Sequence, residues 1–178
     1  MRSVGAALWI GVALLAATAS FAPSAHAGDV TVRDDPFLPF REYIVILPLT
    51  ATGMNRAQVD LAARVDRETQ TITTLIKVDI AYIAEHRRIY ESARNARAEA
   101  LRFTAITHTK SCEKRDSCVY DDRFTVAIPL SDLSAAPAAG YPVKVFSRGG
   151  GDITIPVSKA QIDRVLAAAR VPPPAPAH

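Results

Sequence analysis

The chain has 178 residues, with 21 basic against 18 acidic side chains, a net charge of +3 and only two cysteines. So near-neutral a balance argues against nucleic acid or a strongly anionic surface as the partner of the whole molecule. The length suits one domain that buries roughly two-thirds of its unfolded surface in a single core.

Residues 1–27 have the order of a secretory signal peptide. Arg2 is a lone positive charge, Val4–Ala19 is an almost unbroken apolar run, and Ala25-His26-Ala27 offers the small residues of a cleavage site. That run is shorter than the ~20 residues of a bilayer-spanning helix, and Pro23 interrupts it before any charged flank. The reading is a periplasmic or secreted protein cleaved after Ala27, touching the membrane only in transit. Cleavage removes only Arg2 among the charges, leaving 151 residues with 20 basic and 18 acidic side chains, of which 28–170 form the domain. Residues 171–178 (VPPPAPAH) read as a proline-rich extended tail.

Past the proline-punctuated segment Asp35–Phe40, Glu42–Leu49 is rich in β-branched and aromatic residues and predicts a strand, with a turn over Thr50–Asn55. Val59, Leu61, Ala63 and Val65 alternate with Gln58, Asp60, Ala62 and Arg64. Ile72, Thr74, Ile76, Val78, Ile80 and Tyr82 share one face, while Thr71, Thr73, Lys77 and Asp79 share the other. Alternation of that length marks half-buried strands, and Asp66–Thr69 makes the two a hairpin. Residues Glu85–Ala100 are ambiguous: Ile89, Ala93, Ala96 and Ala100 form a helical stripe, whereas a turn at Asn95 would make them two strands. A stripe of alanines buries little, and strands are the preferred reading.

Leu101, Phe103, Ala105 and Thr107 lead to Cys112, and Tyr120, Phe124, Val126, Ile128 and Leu130 follow Cys118 on one face. In an exported chain, two cysteines bracketing five residues between β-patterned flanks predict a disulfide across a hairpin. A metal site with His108 or a redox pair is the weaker alternative, because neither has the customary spacing. Ser131–Gly140 predicts a loop, and Tyr141–Phe146 and Ile153–Val157 predict strands joined by a glycine-rich tip. A final helix opens with Ser158 and Gln161 as a capping box and carries an apolar stripe of Ile162, Val165, Leu166 and Ala169. The sum is a mainly all-β protein, an antiparallel β-sandwich with one short C-terminal helix.

The order Tyr90–Ala93, Leu101, Cys112, Cys118, Tyr120, Phe124–Val126, Gly140-Tyr141, Lys144 and a glycine tip resembles small exported bacterial proteins of unknown function over residues 70–168. The resemblance implies an immunoglobulin-like sandwich and supports the disulfide. Where such proteins favour a turn glycine, this chain has Ala98.

The chain carries no nucleophile elbow and no Gly-rich phosphate loop, so enzyme chemistry has little support. Asp34-Asp35 and Asp121-Asp122 read as solvated strand-end carboxylates, since adjacent strand residues point to opposite faces. The feature that suggests a partner is Arg87, Arg88, Arg94, Arg97 and Arg102, whose forks suit the carboxylates and phosphates of envelope polymers. The preferred expectation is therefore a non-enzymatic binding module that contacts an envelope protein or polymer and needs no cofactor. The alternative is a small-molecule or metal carrier with a pocket near His86, His108 or Tyr90.

Overall fold

The computed structural model describes residues 29–49, 54–114 and 117–170. The predicted leader, most of the turn after Leu49 and the proline-rich tail lie outside those residues. In chain order the elements are β1 (Thr31–Arg33), β2 (Phe40–Leu47), β3 (Arg56–Asp66), β4 (Ile72–Ala84), β5 (Ile89–Asn95), β6 (Ala100–Lys114), β7 (Ser117–Ile128), α1 (Leu130–Ser134), β8 (Val143–Arg148), β9 (Ile153–Ile155) and α2 (Lys159–Arg170). The strands pair antiparallel in one sheet of order β1-β2-β3-β4-β7-β6-β5-β8-β9.

Residues 85–100 are thus strand, turn and strand, against their local helix propensity. Asn95 makes the turn: its side-chain oxygen accepts the N–H groups of Arg97 and Glu99, each at 3.0 Å. Ala98 takes the left-handed conformation there, with φ of 62°. The predicted loop after β7 differs in one respect, because it opens with α1. Pro129 precedes that single turn and its carbonyl accepts the N–H groups of Asp132 and Leu133, while Leu133 is fully buried. One helical turn is too short to show a period in the sequence.

A continuous order does not make a flat sheet. Strands β4 to β7 form a Greek key, with β7 and β6 lying between β4 and β5. Yet only Glu85–Arg88 connects β4 to β5. Three inter-strand spacings come to roughly 14 Å, and so short a link reaches at most roughly 17 Å, so a flat arrangement would hold it nearly taut. The sheet curls instead. Strand β6 pairs Ala100 and Leu101 with β5 and gives Arg102 onward to β7, so it turns the corner. Tyr90 of β5 then lies against Phe124 of β7, two strands away, with ring centroids 5.2 Å apart. The expectation of an antiparallel β fold with a C-terminal helix is met; its form is one curled sheet.

The period-two pattern decides which side chains fill the curl. Leu61, Ile76 and Val126 stand in one row across three strands, and Val59, Val78 and Phe124 in the next. All six are buried. Helix α2 closes the β2–β3 part, burying Ile162, Val165, Leu166 and Ala169. Its capping box forms as expected, with Ser158 N–H donating to Gln161 Oε1 at 2.9 Å and Gln161 N–H to Ser158 Oγ at 3.3 Å. Gly140 is required where the chain turns into β8: its φ is 92°, and a Cβ there would lie 2.2 Å from the Val157 carbonyl oxygen. Cys112 and Cys118 are direct cross-strand partners and are disulfide-bonded, with Cα atoms 4.1 Å apart.

The outer face carries charge. Glu42 is buried there, with Arg64 at 2.9 Å, Lys77 at 2.8 Å and Arg33 at 3.8 Å. Burial works to raise its carboxyl pKa, but hydrogen bonds from Lys77 and Arg64 outweigh that and hold it below the ordinary value. Eight residues along β3 from Arg64, on the same face, Arg56 bridges Asp79 and Asp121 at 2.8 and 2.7 Å.

Candidate functional site

The five arginines singled out by sequence do not form one surface. Arg87 and Arg88 lie in the β4–β5 link and turn inward. Arg87 pairs with Asp122 at 2.7 Å, and Asp122 is 3% exposed. Adjacent Asp121 and Asp122 do face opposite ways, as strand geometry requires, but Asp122 is buried and not a solvated strand-end carboxylate. Tyr82 donates to its other oxygen at 2.8 Å and accepts the N–H of Arg88 at 2.9 Å. The Arg88 guanidinium lies 4.8 Å from the Tyr82 ring centroid, and its side chain fills the space where a Cβ on Gly151 would sit. Burial, then the hydrogen bond to Asp122, pushes the Tyr82 hydroxyl far above the usual tyrosine pKa, so it stays a neutral donor. This cluster pins the crossover.

Arg97 is in the β5–β6 turn, paired with Glu99 at 2.8 Å and Asp132 at 3.6 Å. Exposed Arg102 lies on β6, on the rim of a hollow of about 350 Å³ lined by Ile72, Leu101, Ala127 and Pro129. His86 and His108 are exposed and Tyr90 is buried in the core. None of the three lines either depression described here. Among the described residues no group of three or more His, Cys, Asp or Glu side chains could hold a metal ion.

Arg94 has a different setting. It stands directly opposite Lys144 of β8, and Lys144 opposite Thr154 of β9, so the three form a row on one face. The Arg94 guanidinium and the Lys144 ammonium lie 5.8 and 4.9 Å from the centroid of the Phe146 ring. Ala96, Ala98 and Pro142 add walls to a depression of about 380 Å³. Two cations side by side repel. Among the described residues only Lys144 of the two pairs with an acid, Asp152 at 3.3 Å, and both of those side chains are substantially exposed. An anion seated between Arg94 and Lys144 would relieve the repulsion, and Phe146 would take an apolar or planar part of the same molecule. Sequence reasoning found Arg94 and missed Lys144 and Phe146. They lie some fifty residues on, and the β5–β8 pairing alone brings them together; a basic and an aromatic residue two apart on one strand was the available signal.

Compared with family models, curated proteins and solved structures, the chain matches none.

Proposed function

We propose that the protein is an exported, non-enzymatic binding module of the cell envelope that takes an anionic group of an envelope protein or polymer between Arg94 and Lys144. The observation that carries this is Arg94, which has no ion-pair partner among the described residues, standing cross-strand from Lys144 beside a partly exposed aromatic ring in a concave surface. The leader-like residues 1–27 supply the export part of the reading. The disulfide fits an oxidising compartment. The immunoglobulin-like sandwich belongs to the same proposal: a Greek key whose crossover is held by a tyrosine hydroxyl supports it.

The test is calorimetric titration with a carboxylate polymer (polygalacturonate), a phosphate polymer (polyphosphate) and neutral dextran. Binding of one of the two anions, weakened about 10-fold or more by Arg94→Gln or Lys144→Gln and falling with salt, is the expected result. Binding unchanged in the double variant would remove the site. Intact mass of the chain recovered from its envelope fraction, with or without cleavage after Ala27, tests export separately.

A further inference from the structure

One apolar side chain is held in water by a turn that leaves it no freedom to hide. Residues 34–39 link β1 to β2. There the Asp35 carboxylate accepts the N–H of Phe37 at 3.0 Å, and the Asp35 carbonyl accepts the N–H of Leu38 at 3.1 Å. From the β3–β4 turn, Arg67 donates to the carbonyls of Leu38 and Asp35, both at 2.9 Å, and reaches Asp34 as well. The Arg67 N–H goes to the Pro39 carbonyl at 2.9 Å, and Arg41 holds the second oxygen of Asp34 at 2.8 Å. Pro36 fixes φ immediately before Phe37 and Pro39 fixes it after Leu38. At the tip of this clamped turn Phe37 is 95% exposed. An aromatic ring presented rigidly loses little entropy on docking and is the usual anchor of an interface.

The hollow between β4, β6 and β7 fits it in shape and in charge. Its lining is mainly apolar, with Ile72, Leu101, Ala127 and Pro129 beside Thr73 and Thr74, and its volume of about 350 Å³ is in the range that admits an aromatic group. Arg102 on the rim has no ion-pair partner among the described residues, and neither has the Asp35 carboxylate beside Phe37. The knob therefore carries an unpaired acid and the hollow an unpaired base. Both belong to the same end of the sheet: the β3–β4 turn supplies Arg67, which clamps the knob, and leads directly into Ile72, which lines the hollow. Because knob and hollow share one end of the sheet, a two-fold rotation can set each against the other and close the pair, whereas a knob and hollow on separate faces would build an open chain.

We propose that the chain forms a two-fold dimer in which Phe37 of each copy enters the hollow between β4, β6 and β7 of the other, with Asp35 against Arg102. Two such contacts bury on the order of 1,000 Å² in total, at the lower end for a specific interface. The depression at Arg94 shares no lining residue with the hollow, although Arg94 pairs with Ala100 at its edge, so this dimer and the anion site are tested on different residues.

Sedimentation of the full-length chain from about 1 µM to about 1 mM tests it, alongside p-benzoylphenylalanine incorporated in place of Phe37 and photolysed. Expected are a monomer–dimer equilibrium and a crosslinked dimer whose adduct maps to 72–74, 100–102 or 127–130 of the second copy. Phe37→Ser, with unchanged circular dichroism and, at concentrations where the parent is monomeric, unchanged melting because the ring is 95% exposed, weakens the dimer on the order of 100-fold. Arg102→Glu, which sets like charges face to face, weakens it as well. A chain monomeric throughout, a dimer indifferent to Phe37→Ser, or an adduct mapping elsewhere or to a different protein would each overturn the proposal.

Discussion

If the β4–β5 link is pinned by one tyrosine hydroxyl, removing a single oxygen must be costly. Tyr82→Phe keeps the ring, its stacking on Tyr120 at 5.5 Å and its fully buried position. What it deletes is the donor to Asp122 at 2.8 Å and the acceptor for the Arg88 N–H at 2.9 Å. The first is a hydrogen bond to a buried charge, worth about 1.5–3 kcal/mol, and the second strands a half-buried amide at about 1 kcal/mol. Together they predict about 3 kcal/mol of lost stability, or roughly 6–12 °C in melting temperature for a chain of this size. Urea unfolding at neutral pH measures it, provided the m value is unchanged. Tyr120→Phe is the matched control, since its hydroxyl makes only a long contact of 3.4 Å to the Glu85 carbonyl and should cost at most about 0.5 kcal/mol. A Tyr82→Phe loss below about 1 kcal/mol, or equal to that of Tyr120→Phe, would refute the claim that the crossover hangs on this hydroxyl.

Other consequences are as direct. Reducing Cys112–Cys118, or replacing both by alanine, reopens a short loop and should lower stability by about 2 kcal/mol, read as a shift in guanidinium midpoint with and without dithiothreitol; no shift would mean the hairpin needs no staple. Glu42, whose folded pKa is depressed, stabilises the protein fully above its unfolded value of about 4.3 and ceases to as pH falls through the lower folded value. The stability gap between the parent chain and Glu42→Gln should therefore shrink as pH drops below about 4.5, and parallel urea midpoints from pH 6 to 3 would contradict it. Ala98→Gly releases the left-handed strain at φ of 62° but loosens the unfolded chain, so a net gain of about 0.5 kcal/mol is expected in the same unfolding assay, and a loss would show that the Ala98 methyl does useful packing.

Part of the candidate site was legible and part was not, for a common reason. Arg94 was visible as a guanidinium in a basic stretch, but so were Arg87 and Arg88, and nothing local separates an arginine that meets a buried carboxylate from one that faces solvent. Asp122 made the difference, and it is 35 residues from Arg87. Likewise Lys144 and Phe146 have no sequence mark that ties them to Arg94. The charged outer face shows the same limit: composition put Glu42 at the start of a strand, and only the cations arriving from β3 and β4 made its burial there tolerable.

What the sequence by itself determined was local. Period-two alternation specified the long strands β3, β4, β6 and β7, because a strand side chain's face depends on its own position alone. Ser158 and Gln161 specified the start of α2 and the even cysteine count the disulfide, since each acts within a few residues; Asn95 offered a turn, but a competing helical stripe left that stretch open. What only the tertiary structure decided was which edges meet: β4 with β7, β5 with β8, and β6 as the corner between them. Those pairings depend on closing a four-residue link over a shared core, a balance of chain reach against buried area that no single segment contains.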